Sequence, residues 1–229
     1  MSHLFVDAES GMIPIDFYTF ATPNGRKVAI MLEELELSYE SHIIDIERGE
    51  QKSPEFLRKN PNGKIPVVVD HATNKTIFES CAILLYLAET YGPSFAMHED
   101  ERLELLQWLF FQVGHIGPMI GQLWHFKEFA SEQIPSAISR YEKECYRLFS
   151  VLDDRLVARD YINGRYSISD IATWPWIDAA NSQLGLSFEQ FPHLKRWHAA
   201  ISERPAVIRS ASIGHHSPTA AFTPDGSAQ

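Results

Sequence analysis

"IPVVVDHATNKTIFESCAILLYLAETYG", residues 65–92, holds two short strands and a helix in immediate succession. An apolar run is followed by a polar turn at 72–75 and by a second β-branched segment, which together predict a β-hairpin. From residue 79 onward, apolar residues recur on one helical face until Gly92 and Pro93 end the helix. The segment therefore predicts the order β-β-α.

The residues before this hairpin alternate between strand and helix patterns. Two strands and two helices are indicated, at "IDFYTF" (15–20), "GRKVAIMLEELEL" (25–37), "YESHIIDI" (39–46) and "SPEFLRKN" (53–60). The last of these places Ser53 as the N-cap and Pro54 at the first helical position. A βαβ unit implies a right-handed crossover and a parallel strand pair. Residues 13–92 thus predict one α/β domain with the order βαβαββα.

The pattern after this domain is only helical. Amphipathic runs lie at 99–129, 133–159, 169–184 and 193–202, and Gly114, Gly117 and Pro118 are expected to bend the first of them. Ser167 and Asp170 in "YSISDIATWPW" have capping-box spacing, to which we assign a structural role. The predicted organisation is a flexible extension at 1–12, the α/β domain, a linker at 93–98, an all-helical domain at 99–212 and a flexible tail at 213–229.

Composition and charge limit the classes of function. Hydrophobic residues make up 45% of the 229 residues, enough apolar surface for two compact modules. A formal net charge of -10 opposes a phosphate-binding surface, so we predict no nucleic-acid partner. The two cysteines, Cys81 and Cys145, lack C-x-x-C spacing, which predicts free thiols and a cytoplasmic location. Neither a secretion signal nor a membrane-spanning segment is expected.

Three features of the α/β domain suggest a binding site. The "TPN" turn at 22–24 precedes the first helix, where Thr22 or Asn24 either caps the helix or stabilises a bound thiolate. A cis Ile65-Pro66 bond would expose the backbone of Ile65 to an extended peptide, although a trans proline at a strand start is the commoner case. Glu79 and Ser80 could hold an ammonium and a carboxylate, or simply begin a helix. Together these features suit a short zwitterionic thiol peptide.

These motifs resemble those of the glutathione transferase superfamily, in which a thioredoxin-like βαβαββα domain precedes a helical-bundle domain. "TPNGRKVAIMLEEL", "SPEFLRKNPNGKIPVVVD", "FESCAILLYLAE", "LQWLFFQVGHIGPMIGQ" and "YSISDIATWPW" are similar to segments of the bacterial Nu-class, Ure2-like disulfide-bond oxidoreductases. The resemblance spans about residues 13–212. It implies glutathione as the bound co-substrate, either two molecules or the disulfide form per subunit, with no metal.

The resemblance also implies roles for individual residues. Members of this class lack a catalytic Tyr, Ser or Cys at the end of the first strand and place the Thr and Asn of the T-P-N turn near the glutathione sulfur. Thr22 and Asn24 match those catalytic positions, while Tyr18 is the alternative as a conventional thiol-activating tyrosine. The implied glutathione-binding residues are Gln51, Lys64, Ile65, Pro66, Glu79, Ser80 and Arg140. A solvated surface position is the alternative for Arg140.

The helical domain offers an aromatic wall for a second substrate. We predict an acceptor pocket made by Trp124, His125, Phe126 and Phe129, although part of this stripe could be core. His115 and His125 lack metal-ligand spacing. Cys81 lies in the first turn of a helix, but packing is the simpler interpretation for both cysteines.

The implied activity is glutathione-dependent disulfide-bond oxidoreduction without a protein cysteine nucleophile. One alternative is a glutathione S-transferase that conjugates glutathione to small electrophiles through the same thiolate. A second alternative is a non-catalytic glutathione-binding regulator, against which the intact binding motifs argue. The resemblance further implies a homodimer, in which the first domain of one subunit faces the helical domain of the other.

Overall fold

The computed structural model describes residues 14–95 and 99–215, and it begins with a four-stranded mixed sheet. The strands are β1 (Ile15–Thr19), β2 (Tyr39–Ile43), β3 (Val67–Asp70) and β4 (Lys75–Phe78), in the spatial order β2-β1-β3-β4. β1 pairs with β2 in parallel, as the predicted crossover requires, and β3 is antiparallel to both β1 and β4. Alternate residues of β1 are buried, which places one face of the sheet against the core.

Three helices complete the α/β domain: α1 (Pro23–Glu34), α2 (Pro54–Lys59) and α3 (Ser80–Tyr91). α1 begins two residues before the predicted start, because Thr22 is its N-cap and Pro23 occupies its first turn. β2 ends at Ile43 rather than at 46, because the Asp45 carboxylate accepts the backbone N–H groups of Glu47 and Arg48 and turns the chain. The predicted βαβαββα order is confirmed.

The helical domain contains α4 (Arg102–Phe111), α5 (Gly117–Trp124), α6 (Pro135–Arg155), α7 (Ile168–Ser182), α8 (Pro192–Ser202) and α9 (Pro205–Arg209). The first predicted run is interrupted by two π-helical turns, at Gln112–Ile116 and His125–Phe129. The first of these turns contains Gly114 and ends where Gly117 and Pro118 begin α5, and π-helical turns and prolines are common causes of helix kinks. The bend at these residues stays a prediction. α9 is a helix that the pattern did not predict.

α7 is the central helix of this domain and packs against α1 of the α/β domain. Its capping box is formed as predicted, with Ser167 at the N-cap and Asp170 at the third position. Asp170 is fully buried and also accepts hydrogen bonds from the Ile162 backbone and the Trp197 indole. Burial raises the pKa of Asp170 to about 6 against the opposing effect of these donors. The side chain is therefore a carboxylate at neutral pH.

Some predicted boundaries fall on residues outside those described. The extension at 1–12, most of the tail and residues 96–98 of the linker are in this group. Of the residues that we placed in the tail, Ile213 packs against the core and Gly214 lies against the backbone of Phe20. Within the two described ranges, 14–95 and 99–215, we find no helix with the length and hydropathy to cross a membrane.

Candidate functional site

A cavity of about 640 Å³ lies between the two domains, at the end of β1. Its wall combines the turn after β1, the loops that precede α2 and β3, and the helices of the second domain. The lining residues are Phe20, Ala21, Thr22, Pro23, Asn24, Ile46, Glu47, Gln51, Lys52, Gly63, Lys64, Ile65, Gly121, Trp124, His125, Phe129 and Trp176. The predicted residues Thr22, Asn24, Gln51, Lys64 and Ile65 are thus brought together, and so are three of the four predicted acceptor residues.

In the turn after β1, one of the two candidate residues caps α1 and the other does not. Thr22 caps α1, because the Gly25 backbone N–H donates to Thr22 Oγ1 over 3.1 Å. Asn24 does not cap: its Oδ1 accepts a hydrogen bond of 2.9 Å from the Trp176 indole Nε1. The first turn of α1 holds no acidic residue, so its positive dipole end is available to an anion in the cavity.

Gly25 has a steric reason to be glycine. A Cβ at this position would lie 2.4 Å from Thr19 Oγ1 and 2.5 Å from the Phe20 carbonyl oxygen. Any side chain would push the start of α1 away from the end of β1. The "TPNG" turn is therefore built for close packing against the strand, which fixes where Thr22 and Asn24 stand in the cavity wall.

The next part of the wall comes from the segment around Gln51 and from the loop before β3. Gln51 Nε2 donates to the Ile46 carbonyl over 3.1 Å, while Gln51 Oε1 is buried without a partner among the described residues. That oxygen is free to accept an N–H group of a ligand. The Ile65-Pro66 bond is cis, as the resemblance implied, and Ile65 lines the cavity while Pro66 is buried behind it.

Glu79 and Ser80 lie at the start of α3 and are not among the lining residues. Glu79 is exposed and has φ 69, a left-handed conformation that is costly for a residue with a Cβ. Ser80 is buried, and its Oγ accepts a hydrogen bond of 3.3 Å from Lys27 Nζ. Because Oγ accepts from an ammonium, the Ser80 hydroxyl hydrogen is left to donate, and the neighbouring Cys81 thiol is one group within its reach.

Lys27 is a buried lysine that the sequence analysis did not single out. Its Nζ also donates to Gln112 Oε1 over 2.7 Å, so it joins α1 and α3 to the π-helical turn of the second domain. Burial lowers the pKa of Lys27 to about 8, against the raising effect of Cys81 and Glu79. A cation thus lies beneath the first turn of α3, on the inner side of Ser80.

Several predicted residues lie apart from the cavity lining. Phe126 stacks on Tyr141 with ring centroids 5.6 Å apart, and it belongs to the packing between the second π-helical turn and α6. Arg140 is exposed and lies near Glu144, one turn further along α6. Tyr18 stacks on His42, and burial raises its pKa, which is the wrong direction for an activating phenolate. Nothing in this geometry supports Tyr18 as the thiol-activating group.

Neither cysteine of the chain lines the cavity. Cys81 is half-buried in the first turn of α3, and its Sγ donates to Gln112 Oε1 over 3.5 Å. Burial raises its pKa, against the lowering effect of Lys27. Cys145 is fully buried in the core, and burial raises its pKa to about 12. Both thiols are therefore poor nucleophiles at neutral pH.

Trp176 and Lys52 line the cavity although the sequence analysis missed them. Lys52 stands next to Gln51 and adds a second exposed ammonium beside Lys64, and this adjacency was the available signal. Nothing in the sequence indicated Trp176, because it lies 152 residues from Asn24 in a helix whose apolar pattern is typical of a buried core helix.

Two family models match this chain. The model described as "Glutathione S-transferase, N-terminal domain" matches residues 14–89, and "Glutathione S-transferase, C-terminal domain" matches residues 119–205. The chain belongs to the glutathione S-transferase family. Its thioredoxin-like sheet domain and its helical domain are those of the glutathione transferase fold, which confirms the predicted fold class.

Relatives of this glutathione S-transferase include a named oxidoreductase and ligand-bound structures. The disulfide-bond oxidoreductase YfcG of Escherichia coli is 47% identical over 199 residues, covering 84% of this chain and 92% of the relative. A Pseudomonas fluorescens family member with two glutathione bound has a TM-score of 0.81 at 43% identity, covering 88% of this chain and 93% of that one. A Pseudomonas putida glutathione transferase with one glutathione disulfide bound per subunit has a TM-score of 0.82 at 39% identity. The match covers 91% of this chain and 95% of that one.

Proposed function

We propose that this protein is a Nu-class, glutathione-dependent disulfide-bond oxidoreductase in which the reacting sulfur belongs to the ligand. One observation carries the proposal: the cavity wall holds Thr22, the Asn24 amide and the positive end of α1, but its described residues include no thiol. Because burial raises the pKa of both Cys81 and Cys145, a bound thiol is the better nucleophile. The oxidoreductase name of the relative YfcG supports the same reaction.

The glutathione peptide is proposed to lie extended along the loop before β3. Its cysteinyl backbone pairs with the N–H and C=O groups of Ile65, next to the cis Pro66. The γ-glutamyl ammonium and carboxylate bind Glu79 and Ser80 at the start of α3, and the Lys27 ammonium strengthens the carboxylate contact through Ser80. Gln51 Oε1 accepts a ligand N–H, and Lys64 with Lys52 attracts the glycyl carboxylate. Arg140 is proposed to reach a bound glutathione from α6.

The proposed reaction consists of two thiol-disulfide exchanges. A bound glutathione thiolate attacks one sulfur of the substrate disulfide, so that a mixed disulfide forms and one substrate thiolate leaves. The thiolate of a second glutathione attacks the glutathione sulfur of this mixed disulfide and releases the other substrate thiolate. The products are two substrate thiols and one glutathione disulfide. The Asn24 amide and the helix dipole stabilise the attacking sulfur anion, and Thr22 supports them by capping the start of α1.

The acceptor site is proposed to be the aromatic part of the cavity, at Trp124, His125 and Phe129. A second cavity of about 310 Å³ adjoins it and shares Trp124, Thr22 and Pro23 with the first. This space suits a small disulfide or a second glutathione, and it also suits an aromatic electrophile. Conjugation of glutathione to small electrophiles is therefore the second candidate function.

An assay on two substrates separates these functions. We expect the purified protein to reduce hydroxyethyl disulfide with glutathione at a far higher rate than it conjugates chlorodinitrobenzene, in line with the name of its relative YfcG, a disulfide-bond oxidoreductase. Strong conjugation without disulfide reduction would overturn our choice in favour of a conjugating transferase.

We also propose a cytoplasmic homodimer. The free state of Cys81 and Cys145 supports a reducing compartment. Exposed apolar side chains on α4 and on the edge strand β4 support a second copy of the chain as partner: Leu103 and Phe110 are 69% and 67% exposed, and Phe78 is 37% exposed. In the proposed dimer, α4 of the helical domain packs against the first domain of the other subunit.

A further inference from the structure

Trp176 connects the helical domain to the "TPN" turn, which is proposed to face the glutathione sulfur. It lies in α7, and its indole Nε1 donates to Asn24 Oδ1 over 2.9 Å. An indole N–H can only donate, so the atom of Asn24 that it contacts must be the amide oxygen. The hydrogen bond thereby decides which way the Asn24 amide is turned.

The remaining end of that amide is the Nδ2 group. No described residue accepts a hydrogen bond from Nδ2, and Asn24 is part of the cavity lining. If the amide turned over, Nδ2 would meet the indole N–H, and two donors would face each other without an acceptor. With Oδ1 fixed against Trp176, the two Nδ2 hydrogens remain as donors for an anion in the cavity.

The indole ring is itself held by the surface of α5. A Cβ at Gly121 would lie 3.5 Å from the Trp176 ring, and a Cβ at Gly117 would lie 3.4 Å from Nε1. The "GPMIG" segment thus passes beside the indole, close enough that a Cβ added at either glycine would come into contact with the Trp176 ring. Trp176 is also half-buried.

We propose that Trp176 is a positioning residue that orients the Asn24 amide as a hydrogen-bond donor to the glutathione sulfur. The inference rests on the proposed function, because it concerns the same bound thiol. It adds that the helical domain takes part in lowering the pKa of that thiol, and not only in holding the second substrate.

Trp176→Phe tests the inference because it keeps an aromatic side chain at this position but removes the indole N–H donor. We expect the pKa of glutathione bound to the variant, titrated by the ultraviolet absorbance of its thiolate, to rise toward that of free glutathione. We also expect kcat for hydroxyethyl disulfide to fall about tenfold, since a misaligned donor loses part of the effect of a deleted one. KM for glutathione should change little.

Trp174→Phe is the matched control. Trp174 lies two residues earlier on α7, and its indole donates to the His198 carbonyl over 3.1 Å, outside the cavity lining. This control should leave the pKa of the bound thiol unchanged. Adding Asn24→Ala to Trp176→Phe should lower kcat no further than Asn24→Ala alone, because both changes remove the same donor.

Two outcomes would overturn the inference: an unchanged thiol pKa in folded Trp176→Phe, or fully additive losses in the double variant. If the wild-type protein itself does not lower the pKa of bound glutathione, the proposed function fails instead. If Trp176→Phe does not fold, the indole proton resonance of Trp176 in the Asn24→Ala variant gives the answer. We expect that resonance to shift from its wild-type position, and an unshifted resonance would contradict the contact.

Discussion

Asn24→Ala is expected to lower kcat for disulfide reduction about 100-fold, the effect of removing one preorganised donor from a developing anion. Asn24 lines the cavity at the start of α1, and Thr22 already provides the N-cap, so the helix start remains intact in the variant. Glutathione affinity should change much less, because the peptide is proposed to bind mainly through Ile65, Glu79 and Ser80. Steady-state kinetics with glutathione and hydroxyethyl disulfide measures both quantities.

Two controls separate chemistry from folding in this experiment. Asn24→Ala leaves the Trp176 indole N–H without its acceptor, so we expect a loss of about 1 kcal/mol in the free energy of unfolding. Asn62→Ala removes an exposed asparagine side chain of the same domain that is outside the cavity lining, and its kcat should match the wild type. An Asn24→Ala variant with wild-type kcat would remove Asn24 from the mechanism.

Asp170→Ala is expected to cost at least about 3 kcal/mol of unfolding free energy, because it leaves several buried donors without an acceptor. Asp170 Oδ1 accepts from the Ile162 backbone N–H and from Trp197 Nε1, over 2.9 and 2.8 Å. Asp170 Oδ2 accepts from the backbone N–H and the hydroxyl of Ser167, over 2.9 and 3.0 Å. Urea denaturation measures the loss.

Asp178→Ala is the control for this prediction, because Asp178 lies on the same helix in a more exposed setting. Its side chain is 26% exposed and pairs with Arg26 over 3.3 Å and with His198 over 3.0 Å. A partly solvated pair contributes about 1 kcal/mol or less. Equal losses of unfolding free energy in the two variants would contradict the prediction that the buried hydrogen bonds of Asp170 stabilise the fold more than the partly exposed ion pairs of Asp178.

The elements of the α/β domain were predictable because their local patterns agree with their tertiary setting. The caps at Ser53 and Ser167 and the hairpin before α3 follow from residue chemistry that acts within a few positions. The end of β2 and the start of α1 were misplaced by two or three residues. In both cases a side chain, Asp45 or Thr22, hydrogen-bonds the backbone and overrides the apolar pattern.

The candidate site was predictable only in part, for a physical reason. Thr22, Asn24, Gln51, Lys64 and Ile65 lie where the ends of neighbouring strands and helices meet, so one domain brings them together. Trp176 comes from another domain, and Lys27 reads as an ordinary surface residue of α1 until α3 and the π-helical turn bury it. Contacts between distant elements leave no periodic signal in the chain.

In the proposed mechanism, the reacting thiol belongs to glutathione and not to the protein. The most direct measurement is the hydroxyethyl disulfide reductase activity of the cysteine-free variant that carries Cys81→Ser and Cys145→Ala, with folding checked by circular dichroism. We expect a kcat close to that of the wild type, because neither cysteine lines the cavity. A folded, glutathione-binding variant that has lost this activity would contradict the proposed mechanism.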